Sequence, residues 1–154
     1  MSLRLYTDGA CSRNGQKGAI GGWAYVIVDE NSTILHSDYG RVEGTTNQQM
    51  ELTALIEGLT VLTKLSFFTA EVFSDSAYCI NAINDKWIVK WLGNGWLTSK
   101  NEPVKNQEYW EALYALYSND DRFTFTKVRG HSNNEYNNYV DAMAVNAKDQ
   151  KYDF

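Results

Sequence analysis

Between residues 42 and 52 the hydrophobic period of this chain changes from two to between three and four, and before residue 70 it changes back. A fold of strands alone or helices alone does not accommodate that switch. Upstream of it, Leu3, Leu5 and Thr7 alternate with Arg4 and Tyr6 until Asp8-Gly9, which predicts a short strand over 3–7 with Asp8 at its exit. A glycine-rich loop (Gly15, Gly18, Gly21, Gly22) leads to a strand over 23–28, a turn at Asp29-Glu30-Asn31 and a strand over 33–42. Connections this short favour an antiparallel meander. Downstream, Leu52, Leu55, Ile56, Leu59 and Leu62 form the stripe of an amphipathic helix, with Thr46 or Asn47 as N-cap. Residues 70–74 then read as a strand ending in Asp75, and strand, helix, strand in that order calls for a parallel pair joined by a crossover.

The second half follows the same alternation of elements. Residues 76–84 have helical character, and residues 86–105 carry Trp87, Trp91, Trp96, Gly93-Asn94-Gly95 and the single proline, Pro103, which predicts a short helix and an irregular excursion. Asn106 is expected to cap a helix built on Trp110, Leu113 and Tyr117. Residues 122–128 alternate as a fifth strand, residues 130–134 form a loop, and Tyr136, Val140, Met143, Ala144 and Ala147 mark a last helix. The expected fold class is α/β: a mixed five-stranded sheet flanked by helices, in one domain over residues 1–154.

Composition narrows the partners. The net charge is −5, from 14 Lys and Arg against 19 Asp and Glu, so any polyanionic ligand needs a local basic patch or bound cations. Two cysteines, Cys11 and Cys79, are too few for a disulfide framework and point to a reducing compartment. No leader pattern opens the chain and no run of ~18 apolar residues occurs, so neither secretion nor a membrane span is expected.

Four carboxylates occupy unusual places. Asp8 and Asp75 end apolar strands, Glu51 lies in the first turns of the main helix, and Asp141 lies in the last helix. If strands one and four are parallel neighbours, Asp8 and Asp75 emerge side by side at the carboxyl edge of the sheet, where open α/β sheets place their sites. Carboxylates so placed repel one another unless hard divalent cations intervene, and an oxygen-only set suits Mg²⁺ or Mn²⁺ better than zinc. Taken singly, each has an ordinary explanation: a turn residue after a strand, an acid complementing a helix dipole, a solvated side chain. Periodicity does not bring the four together.

The words around them do. Tyr6-Thr-Asp-Gly-Ala10, Thr45-Thr-Asn-Gln-Gln-Met-Glu-Leu52, Ser74-Asp-Ser-Ala-Tyr78, Pro103-Val-Lys-Asn106, Val128-Arg-Gly-His131 and Asp141-Ala-Met-Ala144 resemble, in order and spacing, the successive motifs of type 1 ribonuclease H. The resemblance implies the ribonuclease H-like fold and endonucleolytic cleavage of the RNA strand of an RNA–DNA hybrid, leaving 5′-phosphate and 3′-hydroxyl ends. It implies two Mg²⁺ ions, with Mn²⁺ as substitute, and a cytoplasmic monomer. Asp8, Glu51, Asp75 and Asp141 match the family's metal-binding carboxylates, with Asp8 between both ions, Glu51 and Asp75 on the leaving-group side and Asp141 on the nucleophile side. His131 matches the mobile-loop histidine, whose near-neutral pKa suits proton transfer or product release. Cys11 matches a substrate-groove position, and Asn14, Asn47 and Gln48 match residues facing the RNA minor groove. Thr46 and Asn106 match a pocket for a phosphate of the DNA strand, and Trp87 an aromatic beside the DNA sugar, although core packing is the commoner task of a tryptophan.

The chain also departs from the family pattern. Leu92-Gly93-Asn94-Gly95 stands between Trp91 and Trp96 where many bacterial relatives carry basic residues, Ala77 follows Asp75-Ser76 where glutamine is frequent, and Gly44 replaces an arginine near the phosphate pocket. Two rival readings are a transposase- or integrase-type core of the same fold and a hybrid-binding module without catalysis. The first lacks the Thr-Asn-x-x-Met-Glu word and the Gly-His loop, and the second leaves four acids to repel their own ligand.

Overall fold

The computed structural model describes residues 1–129 and 134–150. Three strands open the fold, β1 (Ser2–Ser12), β2 (Ile20–Val28) and β3 (Ile34–Glu43), followed by α1 (Asn47–Leu62) and β4 (Thr69–Ser74). The rest comprises α2 (Ala77–Asn84), α3 (Trp87–Asn94), α4 (Gln107–Tyr117), β5 (Phe123–Lys127) and α5 (Glu135–Asp149). The strands form one sheet in the order β3-β2-β1-β4-β5. β1 and β2, and β2 and β3, pair antiparallel, while β4 pairs parallel with β1 and with β5. This is the mixed five-stranded α/β sheet expected. Among the described residues no helix is long and apolar enough to cross a membrane.

Strand period two sorts the side chains to two cores. Leu3 and Leu5 of β1, Tyr25 and Ile27 of β2 and Val72 of β4 point to one face, where they meet Leu52, Leu55, Leu59 and Leu62 of α1 and Trp110 and Leu113 of α4. Tyr6, Ala24, Val26 and Val28 point to the other face and pack under Val140 and Ala144 of α5. β2 is therefore buried on both sides, as its near-continuous apolar run requires. Leu55 is fully buried, and truncating such a side chain to alanine costs about 2–5 kcal/mol.

Two boundaries differ from the sequence expectation, for a shared reason. β1 does not end before Asp8-Gly9: it continues to Ser12, antiparallel to a β2 that begins at Ile20 and includes Gly21 and Gly22. Those glycines are strand residues because helices lie hard against the strands there. A Cβ on Gly22 would stand 2.1 Å from the Ala144 carbonyl oxygen, and one on Gly9 2.5 Å from the Glu51 amide. The close approach permitted by a missing side chain was masked in the pattern by glycine's usual meaning of a turn. Asn106 is the N-cap residue of α4, as expected, at φ 63°; its carbonyl accepts the Trp110 amide at 3.1 Å, but its side chain makes no capping hydrogen bond.

Candidate active site

The parallel pairing of β1 with β4 stops at Tyr6 and Phe73, whereas β1 runs on beside β2. Asp8 and Asp75 each lie two positions past that last pair, at the point where the strands part. Asp8 is 3% exposed and Asp75 half-buried. Glu51, 5% exposed, comes down from α1, whose N-terminus is set by Thr46: its hydroxyl accepts the Gln49 amide at 3.1 Å, in extended backbone. One ligand oxygen from each of Asp8, Glu51 and Asp75 lies within 4.8 Å of the other two.

Main-chain and hydroxyl donors hold this group. The Gly9 amide donates to Asp8 Oδ1 and to Glu51 Oε1, each at 2.8 Å. Ser74, fully buried, accepts the Ser76 amide on Oγ at 3.1 Å and contacts Glu51 Oε2 at 3.4 Å, so its single hydrogen is the one turned toward the carboxylate. Asp141, from the middle of α5, lies near enough to act on Asp8 and, through like charge, on Asp75.

Burial is the main cause that pushes the Asp8 carboxyl far above the usual carboxylate range, and the neighbouring Glu51 and Asp75 charges push the same way. Glu51 and Asp75 are also raised, each chiefly by burial. Bonds from Gly9 and Ser74 and to Asp8 restrain the rise at Glu51, and Asp8 and Lys127 restrain it at Asp75. Without a cation, then, the cluster retains protons at neutral pH. Three converging carboxylates that must be neutralised, with only oxygen donors, form a fitting seat for a hard divalent cation.

Beside the acids runs a surface of neutral polar groups. Asn14 Oδ1 accepts the Asn47 amide at 2.7 Å, tying the loop after β1 to the start of α1 and leaving the Asn14 NH₂ group to face outward with exposed Asn47 and Gln48. Cys11 Sγ reaches the Thr45 carbonyl at 3.6 Å. Thr45, Gln49, Asn106 and Tyr78 form a hydrogen-bonded series. Trp87, Trp91 and Trp96 pack against the larger core, and a groove of about 420 Å³ lies between Trp87, Trp91 and residues 97–99.

The family model described as RNase H matches residues 1–149. A curated Ribonuclease H of Clostridium botulinum is 44% identical over 147 residues, covering 95% of both chains. The chain belongs to the type 1 ribonuclease H family. A Ribonuclease H of Caldanaerobacter subterraneus subsp. tengcongensis is 44% identical over 143 residues, covering 93% of this chain and 88% of its own. Among solved structures, LC11-RNase H1 in complex with an RNA/DNA hybrid superposes with a TM-score of 0.71 at 23% identity, covering 96% of each chain. The RNase H domain of PFV does so with a TM-score of 0.80 at 22% identity, covering 95% and 93%. At those identities they are evidence of the ribonuclease H fold.

Asp8 and Asp75 are brought together as the strand ends foretold, Glu51 joins them from α1 as the resemblance implied, and Asp141 approaches the same corner from the opposite face of the sheet. His131 lies outside the described residues. Cys79 is fully buried, in keeping with a core role. Ser74, the Gly9 amide, Gln49 and Tyr78 were not singled out from sequence. Thr46 and Gln49 do stand at the Thr-x-x-Gln spacing of a capping box, which could have drawn notice to Gln49. Nothing in the pattern marks Ser74, because its partner is 23 residues away.

Proposed function

We propose that this chain, acting as a cytoplasmic monomer and a single domain, hydrolyses the RNA strand of RNA–DNA hybrids and leaves 5′-phosphate and 3′-hydroxyl ends. The observation that carries the proposal is the convergence of Asp8, Glu51 and Asp75 where β1 and β4 part, in a chain of the ribonuclease H family. With Asp141 these residues would hold two Mg²⁺ ions, or Mn²⁺ in their place. Bound there, the ions supply the positive charge that makes water a nucleophile near neutral pH and steadies the departing oxygen.

The protein's own groups do the positioning. The Gly9 amide and the Ser74 hydroxyl keep the Glu51 carboxylate from swinging, and Asp8 gives up its proton when the site is loaded. His131, ten residues before Asp141, is assigned proton transfer or product release on the nucleophile side. Asn14, Asn47 and Gln48 offer amide donors and acceptors to the 2′-hydroxyls that distinguish RNA in a wide minor groove, with Cys11 lining the same surface. Thr46 and Asn106 grip a phosphate of the DNA strand, and Trp87 lies beside its sugar.

The test compares an RNA–DNA hybrid, a DNA duplex and an RNA duplex of one sequence, with Mg²⁺ or with a chelator. Cleavage of the hybrid alone, only with Mg²⁺, and ligatable 5′-phosphate products are expected. Comparable cutting of the DNA duplex, or binding of the hybrid without cleavage, would overturn the proposal.

A further inference from the structure

A directed hydrogen-bond series runs beneath the residues assigned to the DNA phosphate. The hydroxyl of Thr45, 3% exposed, donates to Gln49 Oε1 at 2.9 Å, Gln49 Nε2 donates to Asn106 Oδ1 at 3.2 Å, and Asn106 Nδ2 donates to Tyr78 Oη at 3.4 Å. Every donor points the same way, so turning either amide over would break two contacts. The series also leaves a remainder. Asn106 has its carbonyl oxygen and one N–H engaged, which leaves one N–H directed by those two bonds. Thr46 accepts the Gln49 main-chain amide on its hydroxyl oxygen, which leaves its O–H to donate. Both remaining groups are neutral donors, the chemistry that an acceptor-only phosphate oxygen requires.

Gln49 touches both grips, one through its main chain and one through its side chain. It sits at the capping-box position, yet its side chain turns away from the Thr46 amide and joins the loop before α4. The geometry points to Gln49 and Tyr78 as positioning residues that fix the Asn106 amide, so that Thr46 and Asn106 together hold one DNA-strand phosphate with neutral donors. This inference rests on the assignment of Thr46 and Asn106 to the DNA strand.

The test uses the full chain, Mg²⁺, and hybrids carrying a methylphosphonate at single DNA positions, which removes the charge and one acceptor oxygen. Wild type is expected to show a raised KM at one position. Gln49→Leu, which keeps the Gln49 main-chain amide on Thr46, and Tyr78→Phe, which keeps the ring on Trp110 (centroids 5.2 Å), should each raise KM on the unmodified hybrid about 3- to 10-fold, the worth of one hydrogen bond. Both should flatten the response to the sensitive methylphosphonate, and both should add little in an Asn106→Ala background. A KM increase equal on modified and unmodified hybrids, or full additivity with Asn106→Ala, would overturn the positioning role. A wild type insensitive at every DNA position would overturn the phosphate grip and the inference with it, leaving hybrid cleavage itself standing.

Discussion

The corner where β1 and β4 part and the excursion through α3 are held by different physics. In the corner, buried carboxylates are fixed by short directional bonds from Gly9 and Ser74 and by one another. Among the described residues, the α3 excursion has directional side-chain bonds only within itself, from Asn94 to Leu97 and from the Lys100 and Glu102 amides to Thr98. Lys86, which precedes it, makes no side-chain cap, and Lys86, Gly95, Trp96, Asn101 and Asn106 all adopt left-handed φ between 59° and 77°. Its place against the core is set by rings: Trp91 meets Trp87 edge-on at 6.3 Å and lies tilted against Trp96 at 5.8 Å and Trp110 at 5.6 Å. A site that must place charge to a fraction of an ångström uses directional contacts, while a surface that only has to stay near a long ligand is adequately served by apolar packing.

The contrast predicts that a charge change in the corner destroys activity without unfolding the chain. Asp8→Asn or Asp75→Asn keeps bulk but removes a ligand charge, and cleavage of a hybrid with Mg²⁺ should fall by about 10³-fold or more, the scale of a lost charge-stabilising group. Circular dichroism should remain native. Turnover near wild type would remove these residues from the catalytic group.

The excursion should show the converse. Trp91→Ala removes a half-buried ring in contact with three others and should lower stability by somewhat less than a fully buried aromatic truncation, which costs about 3 kcal/mol, read by denaturant melts. The surviving folded fraction should lose more in KM than in kcat. A larger loss in kcat would mean that the tryptophans support the carboxylates after all.

A third expectation concerns pH. Asp8, Glu51 and Asp75 have folded-state pKa values above their unfolded ones, so the folded chain binds more protons and the associated stability is greatest below the unfolded values of 3.8 to 4.5. It is lost as pH rises through the folded values, about 7 for Glu51 and higher for Asp8. The metal-free melting temperature should therefore fall from about pH 5 to about pH 9, and saturating Mg²⁺ should flatten that slope. Asp8→Asn should flatten it without metal. A metal-free slope unchanged in that variant would remove the carboxylate cluster as its source.

The smallest effect belongs to the exposed side of α3. Val89 and Leu92 are about half exposed, and Leu92-Gly93-Asn94 carries no charge. Lysine at 92, 93 and 94 together should lower KM and steepen the salt dependence by about 0.9 for each phosphate newly neutralised, with kcat little altered. An unchanged salt slope on a long hybrid would leave the excursion as a packing element only.

Periodicity carried the strands, the crossover through α1 and α1 itself, because Leu3, Leu5, Leu52, Leu55 and Leu59 are partitioned by elementary burial. The strand-end position of Asp8 and Asp75 was legible for the same reason. What escaped was set by contacts between distant segments. Gly21 and Gly22 read as loop until α1 and α5 are in place against them, and the Asn106 side chain, at the N-cap as expected, is taken by Gln49 and Tyr78 instead of the helix. The contact of the Trp91 and Trp96 rings with one another is likewise made only in the folded chain.

Gly22 has a further consequence for Asp141. Because α5 rests main chain on main chain there, with no side chain between Gly22 and the Ala144 carbonyl, the height of the helix above the sheet is independent of side-chain volume at that contact. The acid it carries is thereby insulated from shrinkage in the small core beneath it: Val26, Val28 or Val140 could lose volume and the helix would still bottom out on the same strand. Gly22 works as a mechanical stop, and a single methyl group at that position would lift Asp141 away from Asp8.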